Sequence, residues 1–207
     1  MKPILFFVLL VLNICGGIFH MEELSYFTKP LLMPVLIWIV WTKSQNKKLN
    51  VQLTIALLFS LAGDLFLLVG SQDFFIFGLG AFLLAHLTYI TIFRKALKVN
   101  WLVIVPFVAF AALFCFGVLN SHLSPELEIP VYVYTLVILC MGFLAASRNA
   151  SARSYESVLI GALLFIISDS FIAVNEFVNP VWLSSFWVMS TYGLGQYLIV
   201  KGLLEEA

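Results

Sequence analysis

Leu57–Val69 reads LLFSLAGDLFLLV, and Ala162–Val174 reads ALLFIISDSFIAV. Each run is apolar on all sides and holds a single carboxylate, Asp64 in the first and Asp169 in the second. Aligned on the acids, Asp-Leu-Phe-Leu-Leu-Val stands against Asp-Ser-Phe-Ile-Ala-Val. A lone carboxylate in hydrocarbon costs about 3 kcal/mol or more, so two of them in such runs need a reason.

The wider composition sets the solvent. Of 207 residues, 62% are hydrophobic and 11% charged, well below the roughly 25% charge of a soluble domain. The expectation is an all-α integral membrane protein, one domain over residues 1–207, in a multi-pass arrangement. No ten-residue alternation marks a barrel. The formal net charge is zero, which offers no basic surface for nucleic acid. Cys15, Cys115 and Cys140 sit singly in apolar runs and read as buried hydrophobes. His20, His86 and His122 are far apart, so no metal site and no cofactor are expected. Met1–Phe19 has the outline of a signal peptide, but Ile14 before Cys15 spoils a lipoprotein cleavage box, and the stretch reads as a retained first helix.

Spans of about 20 apolar residues fall at Pro3–Phe19, Pro30–Thr42, Val51–Val69, Phe74–Phe93, Trp101–Leu119, Pro130–Ala146, Ser157–Val174 and Val181–Leu203. The second is short and begins near Tyr26 or is tilted. Eight spans put Lys2, Lys43, Lys47, Lys48, Arg94, Lys95, Lys98, Arg148, Arg153 and Lys201 on one side, ten of the 11 basic residues. Glu22, Glu23, Asp73, Glu126, Glu128 and Glu176 fall on the other. By the positive-inside rule both termini are cytoplasmic. Spans three and seven then run outward, and at 1.5 Å per residue each acid lies roughly 8 Å inside the outer boundary. The parallel acids, four helices apart, are compatible with a 4+4 internal duplication.

Other polar residues share that level. Lys29, in Thr28-Lys29-Pro30, is the one basic residue on the outer side. Pro30 is expected in the first turn of its helix. Lys29 pairs with an acid or holds a phosphate; the bland alternative is a helix-end cation beside Glu22 or Glu23. His86 and Tyr89 stand one turn apart on one face of span four, as acid/base and orienting groups or as helix packing. Span eight carries Ser185, Met189, Tyr192 and Gln196 at helical spacing, with Gly193 and Gly195 allowing close approach. Ser60, one turn before Asp64, is placed to donate to it. Glu176 and Asn175 lie at the outer mouth, where they admit water or cap the helix. Asn120, Ser121 and His122 end span five at headgroup level.

Two carboxyls in one cavity can divide the work of acid and base. No Gly-x-Ser-x-Gly elbow, His-Glu-x-x-His or P-loop is present, so serine acyl transfer, zinc proteolysis and NTP hydrolysis lose support. Thr28-Lys29-Pro30-Leu31, Ser60-x-x-Gly63-Asp64, Gly78-x-x-x-Phe82-x-x-x-His86-x-x-Tyr89, Gly161-Ala162-x-x-Phe165-x-x-Ser168-Asp169-Ser170 and Thr191-Tyr192-x-x-x-Gln196 stand in this order. Together they resemble the YhhN family of membrane proteins, which includes the lysoplasmalogenases. The resemblance runs from about Phe27 to Val200.

That resemblance implies an eight-helix fold and an ether-bond hydrolase. The substrate would be a lysoplasmalogen, a lysophospholipid whose vinyl ether is cleaved to a fatty aldehyde and glycerophosphoethanolamine or glycerophosphocholine. It implies no metal. Its functional positions fall on Lys29, Asp64, His86, Asp169, Tyr192 and Gln196, with Tyr89, Ser60 and Ser168 beside them. Asp64 and Asp169 are the expected catalytic pair, one donating a proton and the other stabilising the cation and activating water, as paired carboxylates do in glycosidases. The expected location is the cell (inner) membrane if the source is bacterial. The competing class is a proton-coupled transporter, for which buried acids are equally expected; a path toward both faces, rather than one pocket, would mark it.

Overall fold

The computed structural model describes residues 2–95, 97–99 and 101–206. Eight helices follow one another: α1 (Lys2–Ile18), α2 (Glu22–Lys43), α3 (Lys47–Val69), α4 (Gln72–Phe93), α5 (Ile104–Ala112), α6 (Pro125–Ala146), α7 (Ala152–Phe177) and α8 (Ser184–Leu204). A short 3₁₀ turn, Trp101–Val103, leads into α5, and a π-helical stretch, Leu113–Leu119, continues it. The described residues form no strand beyond an isolated bridge between Leu97 and Arg148. Six of these passages are long and apolar enough to cross a membrane: α2, α3, α4, α6, α7 and the joined α5 segment, Trp101–Leu119. α1 is shorter, with 17 residues. The chain is an integral, multi-pass, all-helical membrane protein.

Each helix boundary has a local cause. Asn46 caps α3 by accepting from the Leu49 amide at 3.1 Å, and Gly70, at φ 71°, ends it in the left-handed conformation that suits glycine. Ser151 caps α7. α2 differs from the expected span. It starts at Glu22, ahead of Pro30 and one turn ahead of the start near Tyr26 that its short length suggests, and Pro30 and Pro34 lie inside it. Glu22 and Glu23 occupy its first turn, where carboxylates meet the positive end of the helix dipole. Just before Pro30, Thr28 Oγ1 donates to the Leu24 carbonyl at 2.6 Å and accepts from Asn13 Nδ2 at 3.0 Å, which ties α2 to α1. Lys29 therefore sits two turns into α2 rather than at its tip.

Neighbour contacts run in a closed cycle, α1–α2–α3–α4–α6–α7–α8 and back to α1, with α2 also touching α8. α5 lies outside this ring. It packs on α6, its π-helical end touches α7, and only 11% of the Trp101–Leu119 segment is buried. The tightest seam is α7 against α8. A Cβ on Gly161 would lie 2.7 Å from the Gly195 carbonyl oxygen, closer than any side chain is accepted, so the two backbones touch there. Gly193 admits Leu10 of α1 in the same way. At the opposite end of the helices, buried Arg148 holds Glu206 at 2.8 Å and Ser154 Oγ at 3.2 Å, which ties the α6–α7 turn to the end of α8.

Candidate active site

The two acids lie in two hydrogen-bonded sets. Asp64, on α3, is 1% exposed. Lys29 Nζ of α2 approaches its Oδ1 at 3.5 Å, and the Tyr192 hydroxyl of α8 donates to its Oδ2 at 2.7 Å. Burying a carboxylate requires this sort of charge and hydrogen-bond partner. Gly63 beside it lets the Phe82 ring approach within the space a side chain would fill.

Asp169, on α7, keeps 12% of its side chain exposed. Its Oδ2 accepts from the Tyr134 hydroxyl of α6 and lies 3.5 Å from His86 Nε2 of α4. His86 Nε2 is in turn 2.9 Å from the Tyr134 oxygen. The two sets meet at Phe165. Its ring makes edge contacts with His86 at 4.6 Å and with Tyr192 at 5.4 Å between centroids. Among the described residues no hydrogen bond joins the two carboxyls, so each acid has its own partners.

A third set lies deeper. The Tyr89 hydroxyl donates to Gln196 Oε1 at 2.6 Å, and Gln196 Nε2 donates to Ser60 Oγ at 2.8 Å. All three side chains are buried, and together they bond α4, α8 and α3. This corrects one expectation: Ser60 is paired with Gln196, not with Asp64. Ser168 donates to the Val188 carbonyl at 3.1 Å and thus turns toward α8, away from the neighbouring acid. Asn175 accepts from the Val181 amide at 3.0 Å as a helix-end cap. Asn120 accepts from the Tyr132 hydroxyl at 3.0 Å, and His122 bonds Ser121 and the Val118 carbonyl. Tyr134 was not among the expected residues, and it contacts Asp169 directly.

Two hollows adjoin these sets. A vestibule of about 350 Å³ is lined by Lys29, Ser25, Glu176, Asn175, Ser185 and their apolar neighbours. A narrow slot of about 50 Å³ is lined almost wholly by apolar groups, among them Phe110, Phe114, Ile138 and Ala173, with Asp169 and Tyr134 in its wall. The two share Leu67, Phe75 and Ile172, so they adjoin. Asp64 lines neither. A hollow at the opposite end, around Ile39, Lys43 and Lys201, shares no lining residue with either. Among the described residues no group of three His, Cys, Asp or Glu side chains is arranged to hold a metal ion.

The YhhN family model matches residues 24–203. The human protein named lysoplasmalogenase TMEM86A is 35% identical over 162 residues, which are 73% of this chain and 65% of that protein. Pig lysoplasmalogenase TMEM86B is 32% identical over 169 residues, 81% of this chain and 70% of that protein. Human TMEM86B is 29% identical over 189 residues, 89% of this chain and 79% of that protein. The chain thus spans about two thirds to four fifths of these relatives. No solved structure matches it.

Proposed function

The chain belongs to the YhhN family, and from that premise we propose that it is a lysoplasmalogenase-like hydrolase that cleaves the vinyl ether of a lysoplasmalogen. The observation that carries this reading is the junction of a charged vestibule with an apolar slot, with Asp169 in the slot wall. A single-chain phospholipid has the same division. Its phosphate would lie by Lys29, its glycerol at the shared wall of Leu67, Phe75 and Ile172, and its chain in the slot. The vinyl ether joins glycerol to chain. Ile172 is one turn along α7 from Asp169, which sets the acid beside that bond.

The chemistry follows from the placement. A protonated Asp169 gives its proton to the alkenyl carbon remote from oxygen. The π electrons form the new C–H bond, and an oxygen lone pair makes the oxocarbenium ion. Water adds to the carbon bound to oxygen and yields a proton to the Asp169 carboxylate. The hemiacetal then collapses: its C–O bond to glycerol breaks, the glycerol oxygen takes a proton, and the hemiacetal hydroxyl loses one. The products are a fatty aldehyde and a glycerophospho-alcohol, one water is consumed, and the acid is restored. Asp64 acts at one remove. It balances Lys29, whose ammonium meets the phosphate, and with Tyr192 it fixes that lysine in place. The two aspartates remain a functional pair, with different tasks.

In the membrane we assign eight crossings in a single domain with both termini cytoplasmic, which puts the vestibule on the outer side. The chain would slide in from the outer leaflet past Phe110 and Phe114 of the exposed α5 segment. The test is purified protein in detergent with a lysoplasmalogen, and a saturated lysophospholipid as control, in D₂O. The expected result is aldehyde from the first lipid alone, with one deuterium on the carbon next to the carbonyl. No aldehyde, with lipid uptake in proteoliposomes, would favour the carrier.

A further inference from the structure

We infer that Tyr134 is a positioning residue for this reaction: it holds Asp169 by Oδ2 and thereby reserves Oδ1 for the proton that goes to the substrate. The inference rests on the hydrolase reading above. Tyr134 is 7% exposed, and its oxygen has two polar neighbours, Asp169 Oδ2 and His86 Nε2. A phenol has one proton to give, and its oxygen can accept another. With its proton on Asp169, it accepts from His86, which requires the tautomer protonated at Nε2. His86 Nδ1 is buried and has no hydrogen-bond partner among the described residues, so a hydrogen placed on Nδ1 would find no acceptor, whereas one on Nε2 meets the Tyr134 oxygen. The chain then has one polarity, His86 Nε2–H to Tyr134 O–H to Asp169 Oδ2.

This polarity has a use. Both polar contacts of Asp169 fall on Oδ2, so Oδ1 is left for the alkenyl carbon. As the proton leaves, the carboxylate forms against a donor already aimed at it, and no group has to turn. Donors preset where charge develops are worth more than donors recruited late. The ring of His86, which is wholly buried and edge-on to Phe165, keeps the first member of the chain still.

A purely structural Tyr134 would bond α6 to α7 and nothing more. Its loss would lower the melting temperature and leave turnover alone. In the aldehyde assay the inference expects Tyr134→Phe to lower kcat about 100-fold, with KM within about twofold of wild type. The double variant with His86→Gln should be no slower than Tyr134→Phe, because the two act as one unit. A Tyr134→Phe protein that keeps kcat within about threefold overturns the inference. If that variant does not fold, 3,5-difluorotyrosine at position 134 retains ring and hydroxyl; kcat should change at least about threefold with the stronger donor, and an unchanged kcat overturns the inference. Wild-type protein that releases no aldehyde overturns the hydrolase reading first, and this role with it.

Discussion

Asp64 lies on α3 between Lys29 of α2 and Tyr192 of α8; Asp169 lies on α7 between Tyr134 of α6 and His86 of α4. Shifting the helix numbers by four turns the first arrangement into the second. The packing repeats as well, since the α2–α3, α3–α4 and α4–α6 contacts have counterparts in α6–α7, α7–α8 and α8–α2. This fits the duplication suggested by the matching acids. The halves part company at their first helices. α1 closes against α2 and α8, with Phe6 fully buried and Leu10 seated on Gly193. α5 stands outside the ring with little of its surface covered. Asp64 accordingly lines neither the vestibule nor the slot, while Asp169 lines the slot with Phe110 and Phe114. On the proposed reading, the packing of one neighbouring helix gives two equivalent acids different tasks. The partners differ to match: a lysine and a tyrosine on one side, a tyrosine and a histidine on the other.

Four substitutions sharpen or break this comparison. The largest effect is expected from Asp169→Asn, which removes the acid itself and should cut kcat by about a thousandfold while the protein stays folded. Lys29→Ala comes next. It should raise KM about tenfold and leave kcat nearly intact, because the phosphate contact is made equally in ground and transition states; a loss confined to kcat would move Lys29 into the chemistry. Ala173→Leu narrows the slot beside Asp169 and should disfavour long-chain lysoplasmalogens against short-chain ones by about tenfold in kcat/KM, the scale of one or two methylenes in an apolar pocket. Equal losses for both chain lengths would place the chain elsewhere. The smallest effect is expected from Ser168→Ala. Its hydroxyl bonds the Val188 carbonyl, so thermal denaturation in detergent should register a loss of about 0.6 kcal/mol, the mean for such bonds in membranes, with no change in turnover.

Much of this was legible in the chain. Apolar runs and loop charges gave eight helices in the observed order, and polar residues stranded in apolar context singled out Lys29, Asp64, His86, Asp169, Tyr192 and Gln196. The glycines at 193 and 195 foretold close packing. Three things were not legible. The start of α2 at Glu22, one turn before Tyr26, carries no apolar signal because Glu22 and Glu23 open it, and so Pro30 sits inside the helix and not in its first turn. The partner of Ser60 depends on the rotation of α8 about its axis, which spacing on α3 does not carry. Tyr134 lies in an apolar helix with no charged neighbour and looks like the other aromatics; only the crossing of α4, α6 and α7 brings it to His86 and Asp169. Common depth suggested one shared carboxyl pair, and the tertiary packing instead gives each acid its own donors.

The most direct test of the division of labour is a single-turnover aldehyde assay on Asp64→Asn and Asp169→Asn, both purified in detergent and saturated with lysoplasmalogen. The account expects Asp64→Asn to release aldehyde at close to the wild-type rate once saturated, with weakened lipid binding because Lys29 is no longer held in place. It expects Asp169→Asn to bind lipid normally and release aldehyde about a thousandfold more slowly. The reverse pattern, with Asp169→Asn still turning over and Asp64→Asn inert at saturation, would contradict it.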